Sequence, residues 1–307
     1  MKAKLNDFLP DASAPDSATV VAGMQAEGDF RMIRPEDIRL LFKPREQFSH
    51  KGTYGHALII AGAPQTMGAA LLCAMACLHA GAGLTTAAIP ESGLTALNTL
   101  LPEVMYIDKK DLGQGKAFKH YDAIAIGPGL FPDIGSSLTD LVLVEAVQAS
   151  KMPVVADADM LTLLAKSKQH FRHLAKDSIL TPHMKEFDRL FGMQENWWAR
   201  IQTAVIQARK RKITIVLKNR YTFVIDTGGT VYINPTGNPA MAQGGMGDVL
   251  TGIITAYTAQ KYIARDAAVL GCYFHGLAGD QLAEGSFNVS ASRLALQLPK
   301  TVKAFFG

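Results

Sequence analysis

A rhythm constrains this chain more than any single motif. Short apolar runs closed by Gly, Pro, Asp, His or Lys alternate with longer stretches of helical character. Residues 57–61 (Ala-Leu-Ile-Ile-Ala) read as a buried strand stopped by Gly62, residues 68–78 as a buried helix, and residues 84–89 as a second strand. Residues 123–126 stop at Gly127-Pro128-Gly129, a helix is expected over 136–150, and residues 153–157 form a strand ending in Asp157, before a helix at 160–165. Residues 178–182 lead into His183 and a helix to 191, Asn196 is placed to cap a helix over 197–212, and residues 213–217 are a further strand. Strands apolar on both faces need covers on both faces, and the intervening helices supply them. The expectation is an α/β fold, a mostly parallel central sheet with helices on both faces. Later the rhythm changes. Residues 222–225 and 231–233 flank Gly228-Gly229, a hairpin signal, and helices follow over 247–260 and 264–282.

Residues 1–30 carry Pro, Ser, Asp and Gly without clear periodicity, and a loosely ordered or peripheral N-terminal extension is expected there. Organised structure is expected from about Ile33, opened by Pro35-Glu36-Asp37, as a single domain over 31–307 without internal repeats. At 48% hydrophobic and 19% charged residues, the 307-residue chain can bury a large core, which excludes collagen, a disordered chain and a disulfide mini-protein. A net charge of 31 − 27 = +4 is too dilute to call for nucleic acid and suits a phosphate-bearing small ligand equally well. Three cysteines (Cys73, Cys77 and Cys272) make no disulfide framework and suit a reducing compartment. No secretory leader is visible, and no apolar run reaches ~18–20 residues. The reading is a soluble cytoplasmic protein with no membrane or nucleic-acid partner.

In open parallel sheets ligands bind beyond the carboxyl ends of the strands. Those ends carry Gly62, Gly127-Pro128-Gly129, Asp157, Thr181-Pro182-His183 and Lys218-Asn219. The most informative segment runs from Asn234 to Asp248 and opens straight into the helix beginning Val249-Leu250-Thr251. A glycine-rich loop at a helix start leaves backbone N–H groups unpaired and converging, which makes an anion site. Asp248 then has two readings: a base that accepts a proton from a hydroxyl attacking a phosphoryl group, or a helix cap. Backbone must approach phosphate closely at Gly247, and its φ is expected to exclude branched residues. There is no P-loop, no Rossmann fingerprint and no paired Cys-x-x-Cys. Cys73 and Cys77 share a helix face and read as core. The run Arg209-Lys210-Arg211-Lys212 reads as a solvated helix end, and Trp197-Trp198 as packing or interface.

The segment Gly237-Asn238-Pro239-Ala240-Met241-Ala242-Gln243-Gly244-Gly245-Met246-Gly247-Asp248, followed by Val249-Leu250-Thr251-Gly252, resembles the signature of the ADP/ATP-dependent NAD(P)H-hydrate dehydratases, which have a ribokinase-like fold. Leu58 to Gly62, Met67-Gly68-Ala69-Ala70, Ala125 to Gly129, Asp157-Ala158, Leu180 to His183 with Glu186, and Val216-Leu217-Lys218 match in the same order. Ala240 and Met246 depart from the usual Gly and Thr or Ser, and residues 1–30 are not expected to hold the epimerase domain of some relatives. The resemblance implies repair of hydrated NADH or NADPH by phosphorylation of the ring hydroxyl with ADP or ATP, then loss of phosphate. It implies Asp248 as base, and an anion hole from Gly245, Met246 and Gly247. It puts Lys218, Asn219, Arg220, Tyr221, Thr222 and Gly247 at the adenine nucleotide, and Ala69, Gly127, Gly129, His183, Asn238 and Asp248 at the hydrated dinucleotide. Mg2+ bridging phosphates is expected, with no protein ligand assigned, as is a homo-oligomer such as a homotetramer. Two other readings share the site: a ribokinase-like vitamin-precursor kinase, which stops at a phosphoester, and a non-catalytic adenine-nucleotide-binding module.

Overall fold

The computed structural model describes residues 3–113, 117–130 and 138–307. Its strands are β1 (Ala3–Lys4), β2 (Thr19–Ala22), β3 (Phe30–Met32), β4 (His56–Ile60), β5 (Leu84–Ile89), β6 (Met105–Asp108), β7 (Ala123–Ile126), β8 (Val154–Ala156), β9 (Ile179–Leu180), β10 (Thr214–Leu217), β11 (Thr222–Ile225) and β12 (Val231–Asn234). The helices are α1 (Pro35–Leu41), α2 (Met67–His79), α3 (Leu94–Leu100), α4 (Leu138–Ala149), α5 (Ala158–Lys166), α6 (Lys168–Arg172), α7 (Met184–Phe191), α8 (Trp197–Arg211), α9 (Met246–Ala259), α10 (Ala264–Ala283) and α11 (Ala291–Phe306). The first two residues of the helix expected from 136 lie outside the described residues.

The strands form one sheet in the order β1-β2-β3-β12-β11-β10-β9-β8-β7-β4-β5-β6. Neighbours from β10 through β6 are parallel. Among the described strands only β11 and β1 run against the rest, β11 through the expected hairpin. Successive strand residues face opposite sides of the sheet, so the apolar runs feed two layers. Leu58, Ile60, Ile124, Ile126, Ile215 and Leu217 join a core with α4, α5, α7 and α8. Ala57, Ile59, Ala123 and Ala125 meet α2 and the end of α9 on the other face. Farther along that face Val216, Val224 and Tyr232 lie under α9, α10 and α11. This explains the doubly apolar strands.

Residues 3–32 are not loose. β3 pairs in parallel with β12 (Phe30 opposite Val231), β2 pairs with β3, and Leu5 and Val20 enter the core. Asp11 Oδ2 accepts a hydrogen bond from Trp197 N (2.8 Å) and Ser13 Oγ one from Trp198 N (2.9 Å), while Asn196 Oδ1 accepts from Ala199 N (2.9 Å). The segment thus helps to cap α8. Its strands of two to four residues are too short to show a period, and the strand that ties them to the rest of the sheet, β12, lies some two hundred residues away. Trp197 is buried near Phe223 and Trp198 lies beside Phe30, so both indoles pack. Arg209 donates to the Gly228 carbonyl and Arg211 lies over the Phe171 ring, so this helix end is tied to its surroundings.

Candidate functional site

The parallel strands end on one edge of the sheet, and the residues there close on one another. Gly62 N donates to Pro128 O (2.9 Å), joining the loops after β4 and β7. Gly127 has φ +130, and a Cβ there would collide with the Asp157 carbonyl oxygen, so only glycine fits. His183 and Lys218 extend the β9–β10 pairing as an isolated parallel bridge.

Onto this edge points the start of α9. Its N-cap, Gly245, has a left-handed backbone (φ +87), and an added Cβ would lie 2.5 Å from Leu72 Cδ1. Gly247, by contrast, has no positive φ. A Cβ there would make only ordinary contacts, 3.4 Å from Lys218 Nζ and 3.6 Å from Asp157 Oδ2. The first helical bond of α9 runs from Val249 N to Gly245 O (3.0 Å), so the N–H groups before it have no helical acceptor and add to the positive end of the helix dipole.

Asp248 is the third residue of α9, is half-buried, and makes no capping bond. Its carboxyl is pushed up to about 7, first by burial and then by the charge of Asp157, against the pull of Lys218; Asp159 and Glu186 push the same way as Asp157. Lys218 Nζ donates to Asp157 Oδ1 at 2.8 Å and lies 4.0 Å from Glu186 Oε2. Burial works against the Lys218 charge, but Asp157 and Glu186 outweigh it and raise its pKa. Glu186 is itself raised, first by burial, with Lys218 opposing and Asp157 reinforcing.

On the other side of Lys218 opens a cavity of about 550 Å³. Lys218, Asn219, Arg220, Thr222, Asn238, Met246 and Gly247 line it, together with Asn234, Thr236, Cys272, His275 and Gly276 from β12 and α10. Asn219 Nδ2 and His275 Nε2 are buried without a partner among the described residues. Burial, aided by Lys218, pushes His275 down to about 4, so its ring is neutral. A crevice lined by backbone, a cation, open N–H groups and orphaned polar atoms can take an anionic, polar-headed ligand.

Similarity to known proteins agrees with this geometry. The family model of the NAD(P)H-hydrate dehydratases matches residues 57–300. The chain belongs to the NAD(P)H-hydrate dehydratase family. It is 36% identical over 264 residues to the ADP-dependent (S)-NAD(P)H-hydrate dehydratase of Staphylococcus aureus, covering 84% of this chain and 92% of that one. A Bacillus subtilis ADP/ATP-dependent NAD(P)H-hydrate dehydratase, co-crystallised with ATP and Mg2+, superposes with a TM-score of 0.79 at 32% identity, covering 89% of this chain and 97% of that one. The fold is ribokinase-like. The bifunctional NAD(P)H-hydrate repair enzyme of Moorella thermoacetica is 39% identical over 257 residues, which cover 78% of this chain and 47% of that one. The chain therefore spans about half the length of such bifunctional relatives.

In this dehydratase-family chain the residues singled out from the sequence fall on two flanks of Lys218. Ala69, Gly127 and Gly129 assemble where β4 and β7 end: Thr66 Oγ1 donates to Gly129 O (2.7 Å), and a Cβ on Gly129 would lie 3.0 Å from Ala69 Cβ. His183 caps α7, its Nδ1 accepting from Lys185 N (3.1 Å) and Glu186 N (3.3 Å), while Glu186 Oε2 accepts from His183 N (2.8 Å). The ring is still 49% exposed, with its Nε2 3.5 Å from Glu186 Oε1. Asn238 lines the cavity rather than the Gly127 flank, and its Oδ1 accepts from Ala240 N. Tyr221 stands apart, its ring edge-on to Phe8 at 5.2 Å. Cys73 and Cys77 are buried in the core, and burial raises both thiols, Cys77 to about 12. Asn234 and Thr236 belong to the segment singled out from the sequence, though neither side chain was given a role; His275 was not singled out, and its available signal was a polar residue inside the otherwise apolar stretch of α10.

Proposed function

We propose that this chain dehydrates hydrated NADH or NADPH back to the reduced cofactor at the expense of ADP or ATP. The observation that carries this reading is Asp248, a half-buried carboxyl poised at about 7, in the first turn of the helix whose open N–H groups meet Lys218. A base acts best when its pKa lies near the working pH. Asp248 takes the proton of the ring hydroxyl as that oxygen attacks the terminal phosphorus of the nucleotide. The N–H groups of Gly245, Met246 and Gly247 hold the transferring phosphoryl group, and Lys218 neutralises its charge. Phosphate then leaves with its C–O bond electrons, a ring proton is lost, and the double bond returns. The cavity beside Asn219 holds the adenine nucleotide, with Lys218, Arg220, Thr222 and Gly247. The flank of Ala69, Gly127, Gly129 and His183 receives the hydrated dinucleotide.

Among the described residues no three His, Cys, Asp or Glu side chains group to hold a metal ion. Mg2+ is proposed to arrive on the phosphates, where it needs few protein ligands, and no step here is routed through a protein-bound ion. No helix among the described residues is long and apolar enough to cross a membrane. Buried free thiols support a reducing, cytoplasmic setting, and exposed Phe287 and Leu296 beside α11 support a homo-oligomer. The chain is proposed to act as one unit with its N-terminal strands.

The test is incubation with hydrated NADH, magnesium and ADP or ATP, following the reduced-nicotinamide absorbance band. Recovery of that band with release of free phosphate is expected. A stable phosphorylated alcohol would move the assignment to a small-molecule kinase, and nucleotide binding without turnover to a binding module.

A further inference from the structure

Asp157 occupies the N-cap position of α5, where an aspartate ordinarily accepts a bond from the helix's own N–H groups. It makes no such bond. It is 2% exposed, and both carboxylate oxygens reach across the crevice instead: Oδ1 accepts from Lys218 Nζ (2.8 Å) at the end of β10, and Oδ2 from Thr251 Oγ1 (2.9 Å) in α9, three residues beyond Asp248. The local backbone is shaped around this placement. Ala158, the next residue, has φ +47, a left-handed conformation that is unfavourable for a non-glycine residue. Gly127 is needed because any side chain there would strike the Asp157 carbonyl. Strain together with a forgone cap marks a side chain held for another purpose.

We infer that Asp157 is a positioning residue for phosphoryl transfer: it holds Lys218 over the start of α9 and anchors that helix through Thr251. This rests on the proposed dehydratase reaction, in which Lys218 and α9 hold the phosphoryl group. The anchor has two consequences. It fixes the distance between the cation and the base, and it places a negative charge that keeps Asp248 basic. The other groups facing Asp248 are Asp159 on α5, Glu186 on α7, the Cys73 thiol on α2 and Lys218 on β10; neutral His275 on α10 faces Lys218. Removing the Asp157 charge lowers the Asp248 pKa directly, and leaves Lys218 less neutralised, which lowers it further.

The experiment is Asp157→Asn, assayed with hydrated NADH, Mg2+ and ADP across pH. The expected result is a kcat lower by roughly 10–10²-fold, the scale of a reacting group displaced by about 1 Å, with the acidic limb of the kcat profile moved down by ~1 pH unit. A role confined to stability would lower the melting temperature without moving that limb, and an unmoved limb in folded Asp157→Asn overturns the inference. Thr251→Val keeps the Asp157 charge and removes one anchor. Its kcat is expected to fall roughly 3–10-fold, the worth of one hydrogen bond, with the limb unchanged and with recovery in Thr251→Ser. Wild-type kcat in Thr251→Val overturns the anchoring role even where Asp157→Asn does not fold. Absence of turnover in the unmodified protein would instead defeat the dehydratase reading.

Discussion

On the flank of Lys218 that faces Asn219 and His275, buried polar atoms are left without partners. On the flank that faces Asp157, Glu186 and His183, the polar atoms bond one another: Lys218 and Thr251 to Asp157, and His183 to Glu186 in a reciprocal cap. The two flanks share one lysine yet treat a ligand differently. Burying an unmade hydrogen bond costs about 1–3 kcal/mol, and a nucleotide entering the first flank relieves it. A dinucleotide entering the second must displace bonds already made. Binding on the nucleotide flank should therefore stabilise the fold strongly, whereas the carboxylate flank should express its interactions in turnover and KM.

The hardest test of this contrast is Asp248→Asn, which removes the base while keeping its shape. Turnover of hydrated NADH should fall roughly 10²–10⁴-fold, while ADP still raises the melting temperature. Near-normal turnover would take Asp248 out of the mechanism and leave the carboxylate flank without its central residue. Gly245→Val strikes the other flank. A branched side chain cannot adopt φ +87 without strain and would meet Leu72, so the N–H cradle is lost. Thermal stabilisation by ADP or ATP should vanish. A nucleotide response like that of the unmodified protein would put the phosphates elsewhere. At Gly247 neither φ nor a clash within the protein opposes a side chain, so Gly247→Ala should weaken nucleotide binding less than Gly245→Val does.

His183→Ala should raise the KM for the hydrated dinucleotide roughly 3–100-fold, the worth of a neutral to a charged hydrogen bond, and leave the KM for ADP nearly unchanged. Because the same ring caps α7, stability should also fall by about 0.5–2 kcal/mol. Equal losses on both substrates would erase the distinction between flanks. The smallest effect expected is a pH dependence of stability. The folded pKa of Asp248, about 7, lies above its ordinary value of 3.8, so the native state holds that proton more tightly. This contribution is full below about pH 4 and is lost as pH rises toward about 7. Nucleotide-free Asp248→Asn should therefore melt about 2–6 °C above the unmodified protein at pH 8, and much closer to it at pH 4. Parallel melting curves across pH would show that the carboxyl is not held in an unfavourable place.

Much of the parallel sheet was legible because its strands are buried on both faces and announce themselves as apolar runs. The helices α2, α4, α5, α7, α8, α9 and α10 fall within a few residues of their expected bounds, whereas the short α3 and α6 were not read from the sequence. β1 to β3 were not legible: two to four residues cannot display a period, and what makes them strands is the edge offered by β12. At the site, the glycine loop and Asp248 were visible because open N–H groups at a helix start are a local property. His275 was missed because its importance comes from a cavity that α10 closes with β12. Asp157 was noted as a strand end, but its two bonds reach residues 61 and 94 positions away along the chain.

By itself the sequence determined the central strands of the sheet, most of the helices that cover them and the anion-binding loop, since periodicity, glycine placement and helix polarity act over a few neighbouring residues. The tertiary structure alone gave the cap position to Gly245 rather than Asp248 and set the Asp248 carboxyl in a half-buried place among Asp157, Glu186 and Lys218. It also decided that Gly245 rather than Gly247 requires glycine for its backbone, that Tyr221 packs against the core beside Phe8, and that Asn238 lines the cavity beside Asn219. Burial and through-space charge depend on the side chains that close over a residue, and the fold draws these from every part of the chain.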